Sequence, residues 1–173
     1  TYRGPSEGSE AETQANMELM RGMNLYVYFS GHTGSNDIVL PWKITGEFAV
    51  PIADWDLYER FLNESTNVSG LSYRDPSGAG ESIAWGYGAR TAVSVIVEVD
   101  TMQWSPIETT TIRQALTNEL LMYDLAWENL ELFGGRLEIV SETSDSVKVI
   151  NTGWGAAYNV TDGNGVTEKI EPG

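Results

Sequence analysis

The segment Thr91–Val99 constrains the fold most, because its residues are almost uniformly apolar. A strand with one face in water alternates polar and apolar residues, whereas a strand buried on both faces has a continuous apolar run. We therefore expect Thr91–Val99 to lie in the middle of a sheet that is covered on both sides. Glu98 is the one charge in this run, and an unpaired buried carboxylate is energetically costly.

Helical patterns lie on both sides of this strand along the chain. Ser9 opens a capping box for a helix over Glu10–Arg21, and Gly22 ends that helix. Asp54–Asn63 repeats the helical period, and Ile107–Leu132 is the longest helical pattern of the chain.

The remaining segments of this part predict a second strand and a long loop. Asn24–Gly31 is an aromatic and β-branched run, typical of a buried strand, and its carboxyl end leads to His32. Glu64–Gly80 is rich in Ser, Gly and Asp, which favours a loop. The order helix, strand, helix, strand, helix predicts a layered α/β domain.

The sequence pattern changes from helical to β-like after Gly134. Short β-like runs separated by turn residues follow, at Arg136–Val140, Val147–Ile150 and Tyr158–Val160. They predict a small antiparallel β unit or an incomplete sandwich. We therefore divide the chain into an α/β domain over residues 1–134 and a β-rich accessory segment over residues 135–173, which need not be complete.

The composition excludes several classes of partner. With 25 Asp and Glu against 10 Lys and Arg, the formal charge is −15, and no stretch clusters basic residues. Such a chain repels phosphate backbones and anionic lipid, so we expect neither nucleic acid nor membranes as partners. A solvated acidic coat and an adaptation to high salt both explain the charge. Three sequons, beginning at Asn63, Asn67 and Asn159, favour an extracytoplasmic or secreted protein.

The available chemistry is narrow, because the chain has no cysteine and one histidine, His32. Disulfides, thiolate zinc sites and cysteine nucleophiles are excluded. His32 and Glu98 both lie towards strand ends, where ligands usually bind in α/β sheets. The alternative for His32 is a hydrogen-bonded structural residue. A glycosidase with paired carboxylates has little support, since no second acid is spaced to meet Glu98.

Three motifs together resemble the zinc carboxypeptidases of the pancreatic A and B type. His32 is followed nine residues later by Pro41 and Trp42. The segment Ser82–Tyr87 contains Trp85, and Glu98 follows that tryptophan by thirteen residues, within the apolar strand. The first twelve residues are also similar to the family's approach to the helix before the histidine strand. The matches cover about residues 1–133.

The resemblance implies a fold and a reaction. The fold is a three-layer α/β/α arrangement with a mixed sheet, of which residues 1–134 form the C-terminal half of the catalytic domain. The reaction is hydrolysis of the C-terminal residue of a peptide. His32 would be one zinc ligand beside a His-x-x-Glu pair, and Glu98 would be the general base for the zinc-bound water.

The resemblance also implies substrate-binding residues. Tyr73 corresponds to a tyrosine that closes over the substrate, although its loop is about three residues longer here. Ile83 maps to the base of the side-chain pocket, with Val39 and Ile96 beside it, which favours aliphatic or aromatic terminal residues. Lys43 would favour an acidic residue instead, and its alternative is a solvated lysine.

The chain lacks several parts of the family's site. It contains no His-x-x-Glu and no counterpart of the basic residues that bind the substrate carboxylate. We therefore expect zinc and activity in a complete enzyme that acts on peptide or protein C-termini, and neither tight zinc binding nor cleavage by this chain alone. We also expect the open sheet edge to allow self-association. The alternative is a non-catalytic binding or structural module with the same fold.

Overall fold

A computed structural model describes residues 4–43, 52–76, 81–99, 109–134, 136–161 and 166–171. The helices are α1 (Ala11–Gly22), α2 (Trp55–Ser69), α3 (Ser82–Arg90) and α4 (Thr109–Glu128), and a short 3-10 helix follows at Leu130–Leu132. The strands are β1 (Val27–His32), β2 (Asp37–Val39), β3 (Ser72–Arg74), β4 (Val93–Glu98), β5 (Leu137–Glu142), β6 (Val147–Asn151), β7 (Ala157–Thr161) and β8 (Val166–Ile170). No helix of these segments is long and apolar enough to cross a membrane.

Strands β1 to β4 form one mixed sheet in the order β1-β4-β2-β3. The β1–β4 and β2–β3 pairs are parallel, whereas β2 runs antiparallel to β4. The apolar run predicted as a central strand is β4, and its residues from Val93 to Val97 are buried. It lies inside the sheet, with strands on both sides.

The two faces of the sheet bury different sets of side chains. On one face, Val93, Val95 and Val97 pack with residues of α2 and α4 in the main core. On the other face, Ile96 and Val39 pack against Ile83 of α3. Helices therefore cover both faces of a mixed sheet, which confirms the three-layer α/β/α fold.

Two close contacts fix the helices on β4. The buried Tyr58 hydroxyl of α2 accepts a hydrogen bond from the Ser94 amide at 2.8 Å and donates one to the Ser94 carbonyl at 3.3 Å. On the opposite face, a Cβ added at Gly86 of α3 would stand 2.5 Å from the Ser94 side-chain oxygen. A glycine at this position lets the helix approach the strand closely.

Helix α2 is longer than the predicted Asp54–Asn63. Ser65 and Ser69 extend its buried face, and the Ser69 hydroxyl donates to the Ser65 carbonyl at 2.6 Å. A serine whose hydroxyl donates to the carbonyl one turn back can remain within a helix, although the composition of this segment favours a loop. Gly70 ends the helix with a φ of 71°.

The loop predicted over Glu64–Gly80 is therefore wrong in part. It contains the last turns of α2 and the strand β3, while residues 77–80 lie outside the described segments. Helix α3 and the short strand β2 were not predicted either. The longest predicted helix corresponds to α4 and the 3-10 turn, and its first two residues, 107 and 108, are not among the described residues.

The C-terminal segment is β-rich, as predicted. It forms two antiparallel hairpins, β5–β6 and β7–β8. Trp154 joins this segment to the main core, since its ring lies 5.3 Å from that of Phe133, which in turn lies 5.6 Å from Phe61.

Candidate functional site

His32 and Glu98 lie side by side at the end of the sheet. Each is the last residue of its strand, and the parallel β1–β4 pair places them in direct register. Residues in register on neighbouring strands have side chains on the same face. The structure thus brings together the two residues that the sequence selected for chemistry, although 66 residues separate them (98 − 32).

The same register continues across the other two strands. Asp37 of β2 is the partner of Glu98, and Ser72 of β3 is the partner of Asp37. The four residues form one row, which we call the polar row: His32, Glu98, Asp37 and Ser72. Neighbouring strands are separated by roughly 4.8 Å, so Asp37 is about two strand spacings from His32.

Arg74 neutralises the two central carboxylates of the polar row. Its Nε lies 3.2 Å from Oδ2 of Asp37, and its Nη2 lies 3.3 Å from Oε2 of Glu98. The Ser35 hydroxyl, from the loop that follows His32, also donates to Oε2 of Glu98. Glu98 is therefore ion-paired at the end of its strand, which explains how the apolar run accommodates a charge.

The charge state of Asp37 follows from these contacts. Burial raises the pKa of Asp37, but hydrogen bonds from Ser72, Ser35 and Arg74 and the charge of Arg74 lower it, and the net pKa lies below the usual 3.8. The Ser72 hydroxyl donates to Oδ1 of Asp37 at 2.5 Å. Asp37 is accordingly an anion at neutral pH.

Glu81, just before α3, faces the same group of charges. Burial raises the pKa of its carboxyl group and the nearby Glu98 raises it further, while His32 and Arg74 lower it, with a net increase. Its Oε2 is buried and has no hydrogen-bond partner within the described segments. No sequence pattern singles out Glu81, Arg74 or Ser35, because only the strand order brings them together.

The three residues expected around a side-chain pocket also come together. Val39, Ile83 and Ile96 form a separate cluster beneath the polar row, with exposed fractions of 2%, 0% and 6%, and Tyr28 packs against them. They are packed against one another here and form an apolar floor on the face that carries Glu98.

The structure does not bring Tyr73 or Lys43 to this site. Tyr73 is in register with Ile38, between Ser72 and Arg74, so strand alternation directs it to the opposite face. Strand β2 leads away from Glu98, and Trp42 packs against Tyr87 near the end of α3, with ring centroids 4.8 Å apart. The exposed Lys43 follows Trp42, at the far end of the sheet.

The polar row offers few ligands for a catalytic zinc. Such a zinc is bound by about three protein ligands. No group of three or more His, Asp or Glu side chains able to hold a metal occurs in the segments that the structure describes. Of the polar row, Asp37 and Glu98 are held by Arg74, which leaves His32 as the available ligand. The described residues do not fit a complete zinc site.

An open cleft of about 670 Å³ lies beside His32, between the end of β1 and α4. Apolar side chains of α4 line it, among them Ile112 and Leu116, together with Glu119. Helix α4 lies over β1 through Phe29 and Tyr123, whose ring centroids are 4.9 Å apart.

Comparison with known proteins identifies the family. A family model described as zinc carboxypeptidase matches residues 1–118, which is more than half of the chain. The match includes β1 to β4 and hence the polar row, and residues 119–173 lie outside it. A comparison with curated proteins gives no match. The chain therefore belongs to the zinc carboxypeptidase family.

Proposed function

We propose that this chain is part of a zinc-dependent metallocarboxypeptidase that removes C-terminal residues from peptides. Glu98 is the general base and His32 is one of the zinc ligands. The observation that carries the proposal is the register of the two residues at the ends of adjacent parallel strands. The family match, which includes both, supports the same assignment.

The role of Glu98 is to take a proton from the water that attacks the scissile carbonyl, and to return it to the leaving amine. A general base must lie within hydrogen-bond reach of that proton. Glu98 is suited to this position, because it lies at the end of its strand and its side chain is 17% exposed. The apolar strand behind it fixes its backbone.

The missing ligands are supplied by residues outside this chain. Two features next to His32 support this. β1 is the outermost strand at its side of the described sheet, so one edge of its backbone has no partner strand there. Ile112, Leu116 and Leu120 form an apolar stripe on α4, which we call the α4 stripe, with exposed fractions of 41%, 52% and 56%. A sheet that continues beyond β1 would cover both.

The substrates are peptide or protein C-termini with aliphatic or aromatic terminal residues. The apolar floor formed by Val39, Ile83 and Ile96 supports this preference, because apolar pockets select apolar side chains. Lys43 and Tyr73 both lie away from Glu98, so the proposal includes neither an acidic preference through Lys43 nor closure by Tyr73.

The proposed location is extracytoplasmic or secreted, as the family resemblance suggests, and the net charge of −15 argues against nucleic acid or membranes as partners. The sequons contribute little to the location. Those at Asn63 and Asn67 lie in α2, where their serines, Ser65 and Ser69, are buried.

The main test uses Glu98→Gln in the protein encoded by the complete gene. The amide keeps the shape of the side chain but removes the base, so turnover of a peptide with C-terminal Phe should fall at least ~10²-fold while zinc content stays constant. Glu59→Gln, at an exposed position on α2, is the matched control. Near-normal turnover of Glu98→Gln with zinc retained would refute the role of Glu98.

A second candidate is a non-catalytic module with the same fold, favoured by the incomplete donor set among the described residues. The two candidates predict different results for the protein from the complete gene. Zinc that stays bound after dialysis, together with release of a C-terminal residue from a peptide, supports the enzyme. Residues 1–173 alone should hold no zinc after dialysis and release nothing. Stoichiometric zinc with turnover by this chain would show that it completes its own site.

A further inference from the structure

Arg74 joins two carboxylates that the fold places opposite each other. Asp37 and Glu98 are direct partners in the antiparallel β2–β4 pair, and like charges in that relationship repel. The two contacts of Arg74 use Nε and Nη2, which lie on the same edge of its guanidinium group. One rigid plane therefore sets the positions of both carboxylates.

Among the residues that the structure describes, the side-chain contacts to Glu98 fall on one of its two oxygens. Arg74 and Ser35 both meet Oε2. A carboxylate has two oxygens with about four lone-pair sites, and donors that converge on one oxygen leave the other for a different partner. The orientation of the Glu98 side chain is thus held from two directions, by β3 and by the loop after His32.

These ion pairs contribute little to stability. The side chains of Arg74, Asp37 and Glu98 are 35%, 21% and 17% exposed, and ion pairs that reach solvent typically add little to the free energy of unfolding. A guanidinium group, in contrast, provides geometry that an ammonium group cannot, because its donors form a fixed planar fork. The arrangement is therefore better suited to orientation than to stabilisation.

We propose that Arg74 is a positioning residue that holds Oε2 of Glu98 and so presents Oε1 to the attacking water. The proposal rests on the role of Glu98 as general base. Oε1 is assigned to proton transfer, and Oε2 is held by the protein. Ser35 assists Arg74 by donating to the same oxygen.

The experiment compares Arg74→Lys with wild type in the complete, zinc-loaded enzyme. Lysine keeps the positive charge between the carboxylates, so the melting temperature and zinc content should stay near the wild-type values. Without the fork, kcat should fall by about 10- to 100-fold with little change in KM, as expected for a misplaced catalytic group. A crystal structure of the variant should show the Glu98 carboxylate rotated away from its wild-type position.

Controls separate this inference from the proposed function. Arg60→Gln, at an exposed position on α2, should leave kcat unchanged. If Arg74→Lys does not accumulate as a folded protein, Ser35→Ala tests the same oxygen, with an expected loss of kcat at constant KM. The positioning role would be overturned if Glu98→Gln is inactive but Arg74→Lys keeps the wild-type kcat. The same result in Ser35→Ala would overturn it where Arg74→Lys does not fold. Full activity of Glu98→Gln would instead overturn the proposed function.

Discussion

Asp37 and Glu98 face each other directly across the antiparallel β2–β4 pair, with the Arg74 guanidinium bound to both. Two carboxylates on directly paired residues of neighbouring strands repel each other unless a cation lies between them. The polar row therefore carries its two negative charges at its central positions, between His32 at one end and Ser72 at the other.

The first prediction concerns the stability of the protein in acid. Hydrogen bonds from Ser72 and Ser35 and the charge of Arg74 outweigh burial and keep the pKa of Asp37 below 3.8. A depressed folded-state pKa stabilises the fold above the unfolded-state pKa, and this contribution is lost as the pH falls through the folded-state pKa. Asp37→Asn should therefore melt below wild type at pH 7, and the difference should shrink below pH ~3.

Thermal melting across this pH range measures the effect. Asp124→Asn, at an exposed position on α4, is the control and should follow wild type throughout. If the melting temperatures of Asp37→Asn and wild type differ by the same amount at every pH, the charge of Asp37 is not the cause of the difference.

The second prediction concerns the attachment of α2 to the sheet. Tyr58→Phe removes the hydroxyl that pairs with the backbone of Ser94, and it leaves a buried amide without its partner. The free energy of unfolding should fall by about 1–3 kcal/mol in urea titrations. Tyr26→Phe is the control, because the Tyr26 side chain is 49% exposed, and an equal loss in both variants would contradict the assignment.

The third prediction concerns the C-terminal hairpins, which Asn151 joins. Its side chain is 2% exposed and makes four hydrogen bonds with main-chain groups. The partners are the amides of Arg136 and Gly153 and the carbonyls of Gly155 and Ile170, at 2.9 to 3.0 Å.

Asn151→Ala should loosen the hairpins, because two buried and two partly buried hydrogen bonds to backbone groups are lost, at a cost of about 1–3 kcal/mol for each buried group left unpaired. Limited proteolysis with mass analysis should show faster cleavage after residue 134, while the α/β part persists. Asn67→Ala, at an exposed position on α2, should leave the cleavage pattern unchanged. Cleavage at the wild-type rate in Asn151→Ala would indicate that Trp154 alone holds the segment.

The fourth prediction concerns the α4 stripe. Exposed apolar patches associate, so residues 1–173 should form oligomers that depend on concentration. The double change Leu116→Glu and Leu120→Glu should return the chain to monomers in sedimentation experiments without lowering the melting temperature. The protein from the complete gene should be monomeric at the same concentrations. Leu19→Glu, at a position on α1 that is 62% exposed, should leave association unaltered, and an equal effect of this control would reject the stripe as the contact.

The sequence predicted the parts of the site that depend on local pattern. The continuous apolar run indicated a strand buried on both faces, and the aromatic run indicated a strand that ends at His32. Because parallel strands of one sheet end at the same edge, these two patterns already place Glu98 near the histidine.

The partners of Glu98 could not be predicted in this way. Arg74 lies in a segment whose composition favours a loop, and its contact with Glu98 depends on β2 and β3 joining the sheet beside β4. Pairing between distant short strands leaves no periodic signal in a chain of this kind. The same limit applies to the end of α2, because the hydroxyl of its buried Ser69 donates to a carbonyl of the helix itself.

The position of Arg74 has a consequence for dynamics. It belongs to β3, a strand of three residues that pairs only with β2 among the described strands. Short edge strands are the parts of a sheet that open most readily by local unfolding. Each such opening releases the guanidinium group from both carboxylates, so the protection of the β3 amides against hydrogen exchange should report how long Glu98 keeps its orientation.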